Sequence, residues 1–478
     1  MLAAHFQGLR AQTVKPQLEP GQLAQLFPSE APSEPQDWSA ILAAIGTKIL
    51  PGVTHWQHPR FLGYYPASSS LPAVLSELII AALGSVGLQW SANPIGTELE
   101  CVVMDWIARM IHIDQSSPFL HKSGRGGGLI QNTAGDALVA VMVAARIWKH
   151  HQIQAYDNAL PLGAGEREAL FYADSSRLVV YASDQTHFSG PKAVRVAGMR
   201  LHTLPAQRLA DGNYGITAQQ VMDAMGADRA QGLIPCCVQL NFGSTNTCGS
   251  DDLASFAGFA DAARVWVHVD AAYAGASLIL PQFKERAQQL QAIATSFNFN
   301  GSKWFLCGFD SAFLYVRDRH LLKDVFAATG DYLDVVQGED IYNPEFKDWA
   351  VPLGRRFRAL RIWAVIEYFG IKGIQAFLSA ALEQADWLRR HIRASQHYEL
   401  LVETDLGLVC MKLKESAPMS TEEVIAHLQS TAGGSFLVYP SLLGGQPFIR
   451  VAIGGTQTTQ RDIEEFWKAC LKWDRPCA

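Results

Sequence analysis

Asp270 ends an apolar run that begins at Val265, and Lys303 lies 33 residues later in the segment Ser296–Trp304. Pyridoxal phosphate needs a lysine amine to hold its aldehyde covalently. It also needs a carboxylate that keeps its ring nitrogen protonated, so that the ring can accept electrons. Asp270 and Lys303 have the residue types for these two roles. Each residue alone also fits an ordinary structural role, as a strand cap or a surface lysine.

The order of predicted elements places both residues in an α/β domain. Between about residues 71 and 360, helical patterns such as 134–151 alternate with short β-rich runs. These runs are Leu178–Tyr181, Gly232–Leu240, Val265–Val269 and Ala312–Val316. Strands separated by helices predict a mostly parallel sheet, whose functional residues gather at the carboxyl ends of the strands. Asp270 directly follows one of these runs.

The remaining sequence predicts an extension before this domain and a smaller domain after it. Residues 1–70 combine proline-rich connectors with an amphipathic stretch at Trp38–Ile49, which has too little apolar surface to fold alone. After residue 360, a long helical pattern leads to strands near Leu406–Leu413 and Phe448–Ile453. We therefore predict three parts: residues 1–70, 71–360 and 361–478.

Composition limits the classes of partner. The 478-residue chain is 49% hydrophobic with a net charge of -6, and it has no basic block, which argues against a nucleic acid or a polybasic membrane partner. Its eight cysteines lack metal-ligand spacing, so we expect buried free thiols and no metal site. The sequence shows no signal-peptide pattern and no uninterrupted apolar run of about 18 residues. We expect a cytoplasmic protein.

Ordered sequence blocks identify a family resemblance. They are Leu18–Gly21, Pro51–Trp56, His58–Pro66, Asn93–Glu100 with Met104–Trp106, Gly126–Gln131, Ser183–His187, the two segments with Asp270 and Lys303, and Val351–Arg358. Together they resemble the group II pyridoxal phosphate-dependent amino acid decarboxylases, and within them most closely the aromatic L-amino acid decarboxylases. Beyond about residue 375 only Phe448–Ile453 is similar.

The resemblance implies a fold and an assembly. The fold would be that of a fold-type I pyridoxal phosphate enzyme, similar to aspartate aminotransferase. It would have a large domain with a mostly parallel seven-stranded sheet, a small C-terminal α+β domain and an N-terminal helical extension. The extension would pack on a second subunit of a homodimer, whose active sites borrow residues from both chains.

The resemblance also implies roles for individual residues. Lys303 and Asp270 would hold the cofactor, and His187 would stack on its ring and border the substrate carboxylate. The remaining cofactor contacts would be Thr133, Ala134, Thr245, Ala272, Asn300 and Ser302. Thr133 and Ala134 precede a helical pattern, where exposed backbone N–H groups favour a phosphate. Gly301-Ser302 replaces the Pro-His of most relatives, which leaves open whether Ser302 has the role of that histidine.

A polar segment at Thr329–Pro344 reads as a loop, and the resemblance implies that it closes over the active site. Tyr332 matches the tyrosine that protonates the substrate α-carbon. In the resembled family the pocket for the substrate side chain would comprise Trp56, Tyr64, Tyr65, Pro66, Val86, Leu88 and Gly354. Val86 and Leu88 would come from the neighbouring subunit. Glycine at position 354 accompanies dopa, hydroxytryptophan and tryptophan in relatives, whereas serine accompanies histidine or tyrosine.

These observations predict decarboxylation of an aromatic L-amino acid to its amine. Tryptophan, 5-hydroxytryptophan and dopa are favoured, with tyrosine and phenylalanine as further candidates. One alternative is a glutamate or sulfinoalanine decarboxylase, which would want a pocket arginine where Trp56–Pro66 offers only Arg60. Another is an aldehyde synthase, against which Tyr332 and His187 argue. A catalytically silent cofactor-binding relative is the alternative outside enzymes.

Overall fold

The computed structural model describes residues 6–157, 163–327, 341–430 and 435–472. In this part of the chain, a seven-stranded sheet is surrounded by helices, and a four-stranded antiparallel sheet forms a smaller unit. The predicted α/β fold with a mostly parallel seven-stranded sheet is confirmed. The division of the chain at residues 70 and 360 stays a prediction.

The described residues contain fifteen strands. In chain order they are β1 (Val86–Gly87), β2 (Gly127–Gln131), β3 (Leu178–Ser183), β4 (Arg200–Leu204), β5 (Gln207–Arg208), β6 (Tyr214–Gly215), β7 (Ile234–Asn241), β8 (Trp266–Asp270), β9 (Ser296–Asn300), β10 (Ala312–Val316), β11 (Arg355–Arg356), β12 (Tyr398–Leu400), β13 (Leu408–Leu413), β14 (Tyr439–Leu443) and β15 (Gln446–Ala452). The large sheet has the order β2-β10-β9-β8-β7-β3-β4, in which β10 alone is antiparallel to its neighbours. Its central strands are buried on both faces, as expected where helices cover a parallel sheet.

Helices cover the sheet and link its strands. In chain order the α-helices are α1 (Trp38–Ala44), α2 (Leu71–Leu83), α3 (Pro94–Met110), α4 (Ala134–Asp157), α5 (Ala164–Ser175), α6 (Ser189–Val196), α7 (Ala218–Ala230), α8 (Phe259–Ala263), α9 (Lys284–Ile293), α10 (Gly301–Trp304), α11 (His320–Phe326), α12 (Arg358–Arg393), α13 (Thr421–Gln429) and α14 (Gln460–Cys470). The predicted helix at 134–151 is therefore part of the longer α4.

One edge of the large sheet collects the carboxyl ends of six strands, among them β4, which is parallel to β3. β3, β7, β8 and β9 are parallel, so their carboxyl ends lie at the same edge. β2 ends there too, because β10 is antiparallel to both β2 and β9. The segments that leave this edge begin α4 and carry the predicted site residues.

The smaller unit has the sheet order β12-β13-β15-β14, with α13 and α14 beside it. Part of the N-terminal segment lies against this unit of the same chain. Arg10 forms an ion pair with Asp462 at 2.7 Å, and Phe61 forms a β-bridge with Leu437. Trp38, at the start of α1, is 67% exposed. Packing of that part of the extension on a second subunit stays a prediction.

Helix α12 joins the two units. It is long and apolar enough by length and composition to cross a membrane, and it is the one such helix among the described residues. Its backbone leaves the helical conformation at Gly370 (φ 60°, ψ 175°). It packs against α2, α3 and the small sheet, and buried Arg361 near its start pairs with Asp310 at 3.2 Å. The apolar residues that pack in this way, such as Ile362 and Leu378, are buried within the chain.

Candidate active site

Lys303 lies in α10, immediately after β9, and its side chain lines a cavity of about 420 Å³. Its ammonium nitrogen is 5.2 Å from the centre of the Tyr65 ring. Burial lowers the pKa of Lys303, although the nearby Asp270 opposes this effect. A lowered pKa increases the neutral fraction of the amine, which is the form that attacks an aldehyde.

Asp270 is the last residue of β8 and lines the same cavity. Its Oδ1 accepts hydrogen bonds from the Ala272 backbone N–H at 3.0 Å and from Asn298 Nδ2 at 3.3 Å. The Ala272 carbonyl in turn accepts from the Asn300 backbone N–H at 3.0 Å. The turn after β8 and the end of β9 are thus held together, and they bring Asp270 and Lys303 to one cavity.

The third wall of the cavity is the beginning of α4. The Thr133 hydroxyl and backbone N–H both donate to the Asp136 carboxylate, at 3.0 and 3.1 Å. Ala134 and Gly135 begin a 24-residue helix and line the cavity, so their backbone N–H groups have no partner within the helix. An anion is favoured at such a helix N-terminus by hydrogen bonds and by the helix dipole.

Asn300 lines the same cavity as this helix start, Ser302 lines an adjoining cavity, and both residues are buried. The Asn300 Oδ1 atom has no hydrogen-bond partner among the described residues. The amide can therefore turn its NH₂ group toward an anion, and the Ser302 hydroxyl is a second available donor type. The cavity thus combines a lysine, a carboxylate and a helix N-terminus with polar side chains, which fits pyridoxal phosphate.

His187 follows β3 and borders this cavity. Its Nδ1 lies 2.7 Å from Ser189 Oγ and accepts the Ser189 backbone N–H at 3.3 Å. Because Nδ1 accepts, the ring proton of the neutral imidazole lies on Nε2. Burial lowers the pKa of His187, and the positive Lys303 acts in the same direction. The structure therefore supplies a neutral N–H donor beside Lys303.

Comparison with known proteins decides the family. Residues 20–414 match the family model described as the pyridoxal-dependent decarboxylase conserved domain. The chain is 37% identical to aromatic-L-amino-acid decarboxylase of Bos taurus over 98% of this chain and 92% of that protein. This chain belongs to the pyridoxal-dependent decarboxylase family. It is a carboxy-lyase whose cofactor is pyridoxal phosphate.

Two further decarboxylase-family relatives differ in reaction and in substrate. Phenylacetaldehyde synthase of Arabidopsis thaliana is 32% identical over 98% of this chain and 92% of that protein. The crystal structure of Catharanthus roseus tryptophan decarboxylase in complex with L-tryptophan is 30% identical with a TM-score of 0.87, covering 98% of this chain and 95% of that one. Membership of the decarboxylase family therefore leaves the substrate and the product to be argued from the pocket.

A second cavity, of about 640 Å³, adjoins the cavity that holds Lys303 and Asp270. His187, Thr245 and Lys303 line both cavities. Trp56, Tyr64, Tyr65 and Pro66 all line it, as the sequence predicted for a pocket. The rings of Trp56 and Tyr64 stack with centroids 5.4 Å apart. The wall is therefore largely aromatic.

Three predicted pocket residues lie elsewhere in this chain. Val86 is in β1, which pairs with β11, and Gly354 precedes β11. A Cβ added at Gly354 would lie 3.5 Å from Val86 Cγ1 and 3.8 Å from Leu88 Cδ2. The three residues thus form one group that does not line the aromatic cavity of this subunit. Their contribution to a neighbouring subunit stays a prediction, and Tyr332 lies outside the described residues.

Sequence reasoning missed several residues that line the two cavities. Asn241 and Ser244 follow the same strand-end rule that selected Asp270, so the position of β7 could have indicated them. Arg450 and Phe309 carried no comparable signal. Arg450 reaches the pocket from β15, where it lies 5.1 Å from the Tyr65 ring centre and donates to the Thr245 carbonyl at 2.7 Å.

Proposed function

We propose that this protein decarboxylates an aromatic L-amino acid to the aryl amine and carbon dioxide. Tryptophan, 5-hydroxytryptophan and dopa are the favoured substrates, and tyrosine and phenylalanine are further candidates. The aromatic cavity beside Lys303 is the observation that carries this proposal. Flat rings gain from packing against Trp56, Tyr64 and Tyr65 because offset and edge contacts between aromatic groups add to the hydrophobic effect.

Neither arginine near the cavity is wholly available to an acidic side chain. Arg60 pairs with Glu465 at 3.1 Å and does not line the cavity. Arg450 does line it, but its guanidinium donates to the Thr245 and Asn246 carbonyls at 2.7 and 3.1 Å. Two of the five N–H donors of Arg450 are thus in use. The aromatic wall, rather than an absence of positive charge, favours an uncharged ring over a distal acid.

We assign the catalytic and cofactor-binding roles to residues of this chain. When bound, pyridoxal phosphate draws electrons away from the substrate α-carbon, which eases loss of the carboxylate. Lys303 would hold the cofactor through its amine, and Asp270 would keep the proton on the ring nitrogen. The helix start at Thr133 and Ala134, together with Asn300 and Ser302, would bind the phosphate. Thr245 and Ala272 would border the ring.

The remaining assignments concern proton transfer and water. His187 would present its Nε2–H to the substrate carboxylate and border the ring. We assign the proton that reaches the α-carbon to Tyr332, by resemblance. The aromatic wall would exclude water, so that this proton comes from a placed acid.

We also propose a homodimer. Five apolar side chains of α2 are each at least 50% exposed in the single chain: Leu71, Leu75, Leu78, Ile79 and Leu83. Exposed apolar groups of this extent are typical of subunit interfaces. A second copy of the chain on this face would also place the Val86, Leu88 and Gly354 group near its partner's pocket.

The cytoplasmic location we propose fits the seven described cysteines, which are all free and buried.

Product analysis of the holoenzyme tests the proposed function. Tryptophan and dopa should each give equal amounts of amine and carbon dioxide in air, with no hydrogen peroxide. Lys303→Ala should give neither product. Aldehyde with peroxide as the main product would contradict the proposal in favour of the aldehyde synthase alternative. No carbon dioxide from any aromatic amino acid would contradict it altogether.

A further inference from the structure

A chain of polar side chains lies behind Asp270, between β8 and β9. His268 is fully buried, with Nδ1 2.8 Å from Ser296 Oγ and Nε2 2.7 Å from Asn298 Oδ1. The Asn298 amide donates to Asp270 Oδ1 at 3.3 Å. At the other end, Trp266 Nε1 donates to Ser296 Oγ at 2.8 Å. We call His268, Asn298 and Ser296 the relay.

Burial lowers the pKa of His268, and with this ring neutral the two ends of the chain fix the direction of every hydrogen bond in it. The Trp266 indole can only donate, and an ionised Asp270 can only accept. The amide NH₂ of Asn298 therefore faces Asp270, and its carbonyl oxygen accepts the His268 Nε2–H. His268 Nδ1 is then the acceptor of the Ser296 hydroxyl. Each group of the relay thus points a donor toward the carboxylate.

Burying the polar side chains of the relay costs desolvation free energy, which indicates that the relay has a function. β8 and β9 are buried along their whole lengths, and apolar residues such as Val267 and Phe297 alternate with the polar ones. Apolar side chains at the relay positions would avoid the desolvation cost of buried polar groups. A fully satisfied network, in contrast, holds its members in one geometry. The network ends at Asp270 in the cofactor site, so the geometry that it holds is that of the Asp270 carboxylate.

We propose that the relay holds the Asp270 carboxylate so that its Oδ2 meets the ring nitrogen of pyridoxal phosphate. Both hydrogen bonds that Asp270 receives from described residues go to Oδ1, one from Asn298 and one from the Ala272 backbone. Oδ2 receives none from the described residues and remains for the ring. His268, Asn298 and Ser296 are therefore positioning residues, which act through Asp270. The relay rests on the proposed function, because it needs the role of Asp270.

Cofactor binding to the apoenzyme tests the relay without relying on turnover. We would measure the Kd of pyridoxal phosphate and of its deaza analogue, in which a carbon replaces the ring nitrogen. The analogue keeps the aldehyde and the phosphate but cannot pair with Asp270. The variants are His268→Phe, which removes the relay, and His268→Gln, whose amide can still donate to Asn298 Oδ1.

A matched control is available on the adjacent strand. Gln239 pairs in register with His268 and is equally buried, but its side chain has no hydrogen-bond partner among the described residues. Gln239→Met should leave both Kd values unchanged.

His268→Phe should weaken binding of pyridoxal phosphate roughly tenfold or more, as expected for the loss of a charge-assisted hydrogen bond. Binding of the deaza analogue should change by less than about twofold, and His268→Gln should recover most of the lost affinity for pyridoxal phosphate. Equal weakening of both ligands, or no change in either, would overturn the proposal. If His268→Phe does not fold, Ser296→Ala should show the same selective loss at smaller size.

One further variant separates failure of the relay from failure of the proposed role of Asp270. Asp270→Ala should weaken pyridoxal phosphate selectively over the deaza analogue. If Asp270→Ala shows this selective loss and His268→Phe does not, the proposal for the relay is wrong, but the role of Asp270 stands. If wild type and Asp270→Ala both bind the two ligands equally, the role of Asp270 is wrong and the relay falls with it.

Discussion

At the residue scale, the reactivity proposed for Lys303 follows from burial. The amine lies between Tyr65 and the Asp270 side of the cavity, and desolvation lowers its pKa. Lys303→Ala should reduce kcat more than about 10³-fold, because covalent attachment of the cofactor needs the amine. Steady-state kinetics and the visible absorbance of the bound cofactor would measure this. An unchanged circular dichroism spectrum would serve as the control, and retained turnover would contradict the assignment.

Gly301 precedes Ser302 and Lys303 in a tightly packed place. A Cβ at this position would lie 2.5 Å from Phe313 Cζ. The Phe313 ring is fully buried, so it has little room to move away. Gly301→Ala should therefore lower the free energy of unfolding by about 1 to 3 kcal/mol, and it should weaken cofactor binding by displacing Lys303. Urea unfolding and cofactor titration measure the two effects.

Gly226 provides the control for this substitution. It lies inside α7, where an added Cβ would meet nothing within 4 Å. Gly226→Ala should raise the free energy of unfolding by up to about 1 kcal/mol, because alanine favours helix. If Gly301→Ala were equally stabilising, the packing explanation for glycine at position 301 would be wrong.

Single residues differ in how well the sequence predicted them. Asp270 directly follows a predicted strand, so the strand-end rule indicated it, whereas the family resemblance indicated Lys303 and His187, which line the same cavity. Arg450 could not be found in this way. It reaches the adjoining aromatic cavity from β15 of the other sheet, and that proximity depends on how the two units dock.

At the element scale, apolar strands were predictable and polar ones were not. β3, β7, β8 and β10 read as β-rich runs and were predicted. β9 was not among the predicted strands. Its alternation of Ser296, Asn298 and Asn300 with phenylalanine is typical of a half-exposed strand, yet all five residues are buried. The hydrogen bonds of the relay compensate this burial, and no sequence pattern reports them.

The turn between α3 and β2 contains a histidine that should make stability depend on pH. His121 is buried against Trp349, its Nε2 donates to the Gly128 carbonyl at 2.6 Å, and Nδ1 has no partner among the described residues. Burial lowers the pKa of His121 to about 4. Between about pH 6.5 and pH 4 the unfolded chain therefore binds a proton that the folded chain does not.

The stabilising contribution of neutral His121 is complete above pH 6.5 and is lost as the pH falls toward 4. His121→Gln keeps a donor for Gly128 but cannot titrate. Between pH 7 and pH 5 the free energy of unfolding of wild type should fall by about 2 kcal/mol more than that of the variant. Urea unfolding at both pH values measures this. Equal pH dependence in the two proteins would show that His121 does not titrate as described.

At the scale of the whole molecule, the apolar face of α2 predicts an obligate homodimer. Leu75→Glu places a charge in the middle of this face and should give a monomer with little activity, because the pocket would lose the residues of its partner. Sedimentation equilibrium measures the mass. Tyr172→Glu, at an exposed aromatic residue of α5, is the control and should remain dimeric. A fully active Leu75→Glu monomer would refute shared active sites.

The most direct test of the central claim is the ratio of kcat/KM for tryptophan to that for glutamate, measured with the wild-type holoenzyme by carbon dioxide release. The aromatic cavity packs against a ring, and two of the five N–H donors of Arg450 are engaged with backbone carbonyls. Glutamate gains no aromatic packing and must desolvate a second carboxylate, so the ratio should exceed about 100. A ratio near or below one would contradict an aromatic amino acid decarboxylase and would favour an acidic substrate.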